Sequence, residues 1–173
     1  MILRVLSGAM FAFSLMCGGT QAQSSAWSEY RNQRYGLSVR YPSDLFLVER
    51  SAEAGDGEVF VTREKDARLL MGALVNDTGF TAATYQAHIA RQSYSNYKVT
   101  YKATGVTWFV LSGEADGRVF YEKVMFSCSG RLINSFAMIY PANKQHVFNP
   151  IIERMENTFR PGGCRAAVPR VPE

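Results

Sequence analysis

The sequence has little that would support metal chemistry, nucleic-acid binding or membrane insertion. It holds three cysteines and two histidines in 173 residues, which are too few and too scattered for a zinc site, and it has no carboxylate-rich calcium loop. Lysines and arginines never form a block, so no concentrated basic surface for nucleic acid is expected. The longest mainly apolar run, residues 5–17, is shorter than the roughly 20 residues that a transmembrane helix needs.

Catalytic motifs are missing as well. The sequence contains no Gly-x-Ser-x-Gly element and no Cys-x-x-Cys pair. The two histidines are expected at the surface, His88 on the first helix and His146 in the loop before the last helix. We therefore assign no catalytic residue, no metal and no cofactor, and we predict a non-enzymatic protein. A hydrolase remains a competing hypothesis, which requires His88 or His146 to contact a nucleophile in a cleft.

The N-terminus, by contrast, carries a recognisable export signal. Residues 1–22 combine one basic residue, a short apolar run and a small residue at the end, the order typical of a secretory signal peptide. Cleavage is expected after Ala22, with Ala26 as a second site. Removing the one basic residue of this segment leaves 18 basic against 15 acidic residues, a net charge of +3. The sequence thus predicts a periplasmic or secreted protein, with one domain over 23–164, a loose tail over 165–173 and no transmembrane segment.

Export changes what the remaining cysteines imply. Cys128 and Cys164 are the only two in the predicted mature chain, and an oxidising compartment allows them to pair. The alternative is a thiol nucleophile, which would need an adjacent base that the sequence does not supply. We predict a disulfide between them, and closing its loop of about 36 residues is worth ~3.8 kcal/mol in chain entropy.

Apolar periodicity divides the first half of the domain into strands and one helix. A composition of 47% hydrophobic and 20% charged residues is enough for a sizeable core. Thr81 as N-cap, with Phe80 and Tyr85 spaced as a hydrophobic staple, predicts a helix through about Gln92. Residues 23–32 are interpreted as a polar lead. One strand is predicted at 35–42, a second beginning at Phe46, and a third after a hairpin turn at 56–57. Two more are predicted at 69–75 and at 97–101.

The second half predicts a three-stranded meander and a closing helix. Asp116-Gly117 and Ser129-Gly130 join strands at 108–115, 118–128 and 131–140, and these turns fix the register. Both faces of this ribbon are apolar, so both must be covered. The last helix is expected to begin with Asn149 as cap and Pro150 in its first turn. Cys128 is placed on the face of Phe126. We predict the α+β class: an α/β/α sandwich with a central, mostly antiparallel sheet of about six to eight strands and two main helices.

The order of these elements resembles the PsbP-like superfamily. The similarity rests on Tyr35-Gly36-Leu37-Ser38-Val39-Arg40-Tyr41-Pro42 and on Asn149-Pro150-Ile151-Ile152 through Phe159-Arg160-Pro161, and it spans about residues 30–161. The resemblance implies an α/β/α sandwich and, commonly, an accessory or protein-binding role without catalysis. It carries no family-wide catalytic residues that could be assigned here, and fold alone does not choose a partner.

Candidate binding residues come from the predicted register of the meander. Trp108, Tyr121, Lys123 and Phe136 fall on one face and are the candidates for a pocket or binding surface. Glu122 and Lys123 lie mid-strand, where an unpaired buried charge is costly, so each must reach an edge, a partner or a ligand. Two interpretations stay open: pairing at the sheet margin, or a polar pocket under a helix. Alternation along the strands favours the core for the other aromatics, which are Tyr94, Tyr97 and Tyr101.

These observations lead to a ranked set of hypotheses. The first is an exported, non-enzymatic accessory domain that binds another protein, either in the cell envelope or as an inhibitor or immunity-type factor. The second is a protein that binds a small apolar ligand or a lipid in a pocket between sheet and helix. The hydrolase ranks third.

Overall fold

Nine strands and two helices follow one another in the computed structural model, which describes residues 26–164. Seven strands form one antiparallel sheet in the order β3-β4-β5-β9-β8-β7-β6, and β1 and β2 form a separate hairpin. This arrangement confirms the α+β class. The bounds are β1 Trp27–Arg31, β2 Ser38–Pro42, β3 Leu47–Ser51, β4 Gly57–Val61, β5 Arg68–Val75, α1 Ala82–Gln92, β6 Lys98–Thr104, β7 Trp108–Ala115, β8 Arg118–Ser127, β9 Leu132–Pro141 and α2 Gln145–Thr158.

The meander β7–β8–β9 has the register that its two turns predict. Glu122 stands opposite Leu111 on β7 and Ala137 on β9, while Lys123 stands opposite Val110 and Phe136. Most of the large apolar side chains on both faces of these strands are buried. The structure therefore confirms packing on both faces for most of the ribbon, whereas Trp108, Tyr121 and Met125 on one face stay only partly buried.

Each face of the seven-stranded sheet is covered over only one half, and the covered half differs between the two faces. On one face, α2 and the β1–β2 hairpin pack over β9, β5 and β4. On the other face, α1 packs over β6, β7 and β8. Each face therefore keeps one open half, beside β6–β8 on the α2 face and over β3–β5 on the α1 face.

Helix α1 begins as its capping sequence predicts. The Thr81 hydroxyl accepts a hydrogen bond from the Thr84 amide, and the Thr84 hydroxyl accepts one from the Thr81 amide. The rings of Phe80 and Tyr85 lie 5.3 Å apart, which completes the hydrophobic staple. Neither this helix nor any other in residues 26–164 is long and apolar enough to cross a bilayer.

The start of the closing helix was predicted wrongly. Helix α2 begins at Gln145, directly after a short 3₁₀ turn at Ala142–Lys144, so Pro150 lies inside the helix. Asn149 does not cap it. Its side-chain oxygen instead accepts a hydrogen bond of 2.9 Å from the Tyr140 hydroxyl of β9. The first turn is held from outside by an ion pair of 2.6 Å between Lys144 and Asp66.

Two further expectations need correction. The segment assigned to a polar lead contains β1, whose polar side chains face solvent while Tyr30 is buried against Phe60. Cys128 lies in the core on the α2 face, opposite to the face of Phe126. The reason is that β8 ends at Ser127 and Cys128 has a φ of 57°, so strand alternation no longer sets its direction.

The predicted disulfide is present between Cys128 and Cys164, whose Cα atoms are 5.0 Å apart. It joins the β8–β9 turn to the segment that follows α2. The predicted signal peptide with its cleavage site after Ala22, and the predicted tail over 165–173, lie outside the described residues.

The segment before Cys164 is held by a buried amide. Asn134 is fully buried, its oxygen accepts a hydrogen bond of 2.8 Å from the Gly162 amide, and its nitrogen donates to the Met125 carbonyl and the Ser127 hydroxyl. The Ser127 hydroxyl in turn donates to the Gly162 carbonyl at 2.9 Å. This network ties the chain beyond α2 to the centre of the sheet.

Gly162 has no room for a side chain in this network, since a Cβ there would collide with the Tyr35 carbonyl and lie 3.0 Å from Leu132. We expect Gly162→Ala to lower the free energy of unfolding by roughly 2 kcal/mol, as overpacking commonly does. Gly163→Ala is the matched control, because a Cβ at Gly163 meets no atom within 4 Å. Urea unfolding of the two variants measures the difference. Equal stabilities would contradict the close approach of Gly162 to Tyr35.

Candidate functional site: a groove beside the last helix

The open half of the α2 face forms a groove between helix α2 and strands β6–β8. It encloses about 330 Å³. The helix contributes one face at helical spacing, and the strands contribute side chains that alternate toward it. We call it the α2 groove; its lining is Thr100, Tyr101, Ser112, Glu114, Val119, Tyr121, Tyr140, Gln145, Asn149, Ile152, Glu153 and Glu156.

Three tyrosines give the α2 groove aromatic walls. Tyr101 projects from the edge strand β6 and is 56% exposed. Tyr121 is half-buried and stacks on Phe136, with ring centroids 6.1 Å apart. Tyr140 is buried and its hydroxyl is already bonded to Asn149. Tyr101 and Tyr121 are therefore the rings that a bound group could contact.

Carboxylates line the α2 groove both on the helix and on strand β7 opposite it. Glu156 pairs with Lys123 at 3.3 Å, and the Lys123 ammonium lies 4.2 Å from the centre of the Trp108 ring. Burial, together with the neighbouring Glu156 carboxylate, raises the pKa of Tyr121, so that hydroxyl stays protonated. Glu114 accepts a hydrogen bond from Gln145. Glu153 is exposed and makes no ion pair within 4 Å among residues 26–164.

The four candidate binding residues lie in or next to this region. Trp108, Tyr121 and Lys123 surround one end of the α2 groove, whereas Phe136 lies beneath it in the core with its ring 5.3 Å from that of Phe159. Lys123 has the partner that a charge in this position requires, but it pairs with Glu156 of α2 from an interior strand and not at the sheet margin. The core assignment of Tyr101 is wrong.

Sequence reasoning missed the helix side of the groove. No role is predicted for Glu153 or Glu156 from the sequence. Helical spacing does place Gln145, Asn149, Ile152 and Glu156 on one stripe, which is the signal that could have found them. Glu114 could not be found in this way, because its proximity to α2 depends on how far the helix leaves the sheet uncovered.

Glu122 occupies a different site, on the α1 face. It is buried, and within residues 26–164 its carboxylate accepts one hydrogen bond, 2.7 Å from the Tyr94 hydroxyl. Tyr94 stacks on Phe120 at 3.7 Å just after α1 ends. Burial raises the pKa of Glu122 to about 7, and the Tyr94 hydrogen bond offsets only part of that rise.

The two histidines lie on different helices and do not come together in one site. His88 is on α1, with its ring 5.0 Å from that of Phe80 and stacked on Tyr85. His146 lies in the first turn of α2 rather than in a loop. Because α1 and α2 cover opposite faces of the sheet, the two side chains do not meet. Neither makes a side-chain hydrogen bond within the described part of the chain, so the contact that the hydrolase hypothesis requires is not formed there.

A second concavity lies on the open half of the α1 face. It encloses about 820 Å³ over β3, β4 and β5, and its floor includes Val59, Gly72 and Ala73. Leu70 and Leu74 stand in it and are 37% and 43% exposed. This surface is more apolar than the α2 groove.

Comparison with known proteins places the fold. No family model matches the chain, and no curated protein matches it in sequence. Solved structures do match. PsbP (CyanoP) from the cyanobacterium Synechocystis is 13% identical, with a TM-score of 0.58 over 84% of this chain and 97% of that one. The Ran-binding protein Mog1p from Saccharomyces cerevisiae is 12% identical, with a TM-score of 0.60 over 83% and 99%. A Mog1 mutant gives 10% identity and a TM-score of 0.60 over 83% and 100%. The chain therefore has a PsbP-like fold.

Proposed function

We propose that the protein is exported to the periplasm or the extracellular space, where it acts as a non-enzymatic accessory domain that binds another protein. The export part rests on the pattern of residues 1–22 and on the disulfide, which is typical of oxidising compartments. The binding part is supported by a structural neighbour that is itself a Ran-binding protein. Fold similarity at this identity does not transfer the partner.

The observation that carries the proposal is the α2 groove itself. It is a concave, tyrosine-lined surface on a sheet face that no segment among residues 26–164 fills. Tyrosine is among the residues enriched at protein interfaces. Tyr101 is exposed and Tyr121 half-buried, so both rings are accessible to a partner.

Affinity capture with a groove variant tests the proposal. Tagged wild-type protein and Tyr101→Ala are recovered from the cell envelope of the native host, and bound proteins are identified by mass spectrometry. A discrete partner should accompany the wild type and fall at least about tenfold with Tyr101→Ala, because a truncated interface tyrosine commonly costs 1–2 kcal/mol or more.

Val147→Ala is the matched control, since Val147 is an exposed apolar residue of α2 outside the groove. It should retain the partner. A partner lost equally from both variants, or retained by both, would contradict binding through the α2 groove.

The alternative function is binding of a small apolar ligand or a lipid. The 820 Å³ concavity under Leu70 and Leu74 favours it, because its size and its apolar floor suit an acyl chain better than the acidic α2 groove does. Native mass spectrometry of the purified protein should then detect a lipid that Leu74→Glu abolishes. Protein free of lipid in both forms would contradict this alternative.

A further inference from the structure

The α2 groove carries an excess of negative charge. Glu114, Glu153 and Glu156 contribute three carboxylates, and Lys123 supplies the one ammonium paired with them among residues 26–164. Lys98 is the register partner of Glu114 across β6 and β7, yet it forms no ion pair within 4 Å in this part of the chain. The groove thus remains short of cations.

Helix α2 already takes part in two arrangements of a cation against an aromatic ring. At the groove, Lys123 lies 4.2 Å from the Trp108 ring while it pairs with Glu156. On the side of α2 that meets the β1–β2 hairpin, the Arg154 guanidinium lies 4.1 Å from the Trp27 ring. An aromatic face next to a carboxylate is a favourable binding position for a cation, because the ring quadrupole and the negative carboxylate both attract it. Tyr101 and Tyr121 offer the same combination without a cation of their own.

Size and shape narrow the occupant further. A volume of about 330 Å³ is enough for one extended side chain. A planar guanidinium can stack on a tyrosine ring and also donate two hydrogen bonds to one carboxylate, which a compact ammonium cannot do. Building on the proposed function, we infer that the α2 groove receives an arginine side chain of the partner protein, with its guanidinium between the rings of Tyr101 and Tyr121 and the carboxylates of Glu114 and Glu153.

Net charge makes this recognition local. The predicted mature chain is basic, with 18 lysines and arginines against 15 acidic residues, so a generally basic partner is repelled at long range. The carboxylates of the α2 groove attract an arginine at close range. Binding should therefore be selective for the guanidinium and not for positive charge in general.

NMR titration tests the inference on the mature protein. The probes are N-acetylarginine methylamide, its neutral citrulline analogue and N-acetyllysine methylamide. The arginine probe should shift amide signals of Tyr101, Tyr121 and residues 149–156 saturably, with a Kd on the order of 1–10 mM. Citrulline should give no saturable shift, and lysine should bind several-fold more weakly.

Glu153→Gln removes one exposed carboxylate from the groove and should weaken arginine binding at least about threefold. Glu53→Gln is the matched control, because Glu53 is an exposed glutamate that lines the other concavity, and it should leave the Kd unchanged. Equal shifts with citrulline, equal affinity for lysine, or no effect of Glu153→Gln would overturn the inference.

The outcome separates this inference from the proposed function. If arginine fails to bind while Tyr101→Ala still loses the captured partner, the occupant is wrong and the protein-binding groove stands. If Tyr101→Ala retains the partner, the proposed function fails, whatever the probe does. A loss of the partner with both Tyr101→Ala and Glu153→Gln supports both.

Discussion

Replacing Cys128 and Cys164 together by serine is expected to lower the free energy of unfolding by about 4 kcal/mol, the largest single effect that the structure predicts. The disulfide closes a loop with a sequence separation of 36 residues, and loop closure of that length restricts the unfolded chain by ~3.8 kcal/mol. That loop contains β9 and the whole of α2, so its release frees the helix that forms one wall of the α2 groove. Urea unfolding of both proteins measures the difference.

Reduction provides the control for this prediction. Wild-type protein unfolded in the presence of dithiothreitol should approach the stability of the double serine variant, and the variant should not respond to dithiothreitol. A loss below about 1 kcal/mol would mean that the bond constrains the unfolded chain far less than its loop length implies.

Replacing Glu122 by glutamine is expected to change how stability depends on pH. Burial raises the pKa of Glu122 from 4.5 to about 7 in the native protein. Between these values the native state keeps the proton while the unfolded chain releases it. The bound proton therefore contributes fully to the free energy of unfolding below about pH 4.5. This contribution falls as pH rises toward 7 and is absent above that. Relative to wild type, Glu122→Gln should gain about 3 kcal/mol between pH 4 and pH 8.

Thermal or urea unfolding at a series of pH values measures this effect. Glu53→Gln, at an exposed glutamate, is the control and should show no such gain. Tyr94→Phe removes the hydrogen-bond donor of the carboxylate, so it should destabilise the protein more at pH 8 than at pH 4. Parallel pH profiles of Glu122→Gln and wild type would show that Glu122 is not buried as described.

Local signals account for the parts of the fold that were predicted correctly. Asp116-Gly117 and Ser129-Gly130 fix the turns, and the period of two then sets every cross-strand pair between β7 and β9. The Thr81 cap and the Phe80–Tyr85 staple likewise locate the start of α1 from a stretch of six residues. Such signals need no knowledge of the rest of the chain.

The incorrect predictions concern elements whose structure depends on tertiary contacts and not on the local sequence. Helix α2 begins at Gln145, next to Lys144, which pairs with Asp66 from a distant part of the sequence. Asn149 accepts its hydrogen bond from Tyr140 of β9 instead of capping the helix. Strand β1 is polar along most of its length and is identified only by its pairing with β2. Cys128 leaves the strand through a positive φ that the sequence pattern does not reveal.

The α2 groove was also predictable only in part, because strand register is set locally whereas the packing of α2 is not. Register alone placed Trp108, Tyr121 and Lys123 together on one face, and the structure brings them to one end of the α2 groove. Tyr101 was assigned to the core because its strand alternates like a buried one. Its exposure follows from α2 covering β9 and not β6, which is a property of the tertiary packing rather than of any local segment.

Site-specific photocrosslinking in the native host tests the binding surface most directly. A photoreactive benzoylphenylalanine is placed at Tyr101 in the α2 groove, and separately at Leu74 in the apolar concavity of the opposite face. Irradiated cells should yield one discrete protein adduct from position 101 and none from position 74. An adduct from position 74 with none from position 101 would mean that the partner binds the other face of the sheet.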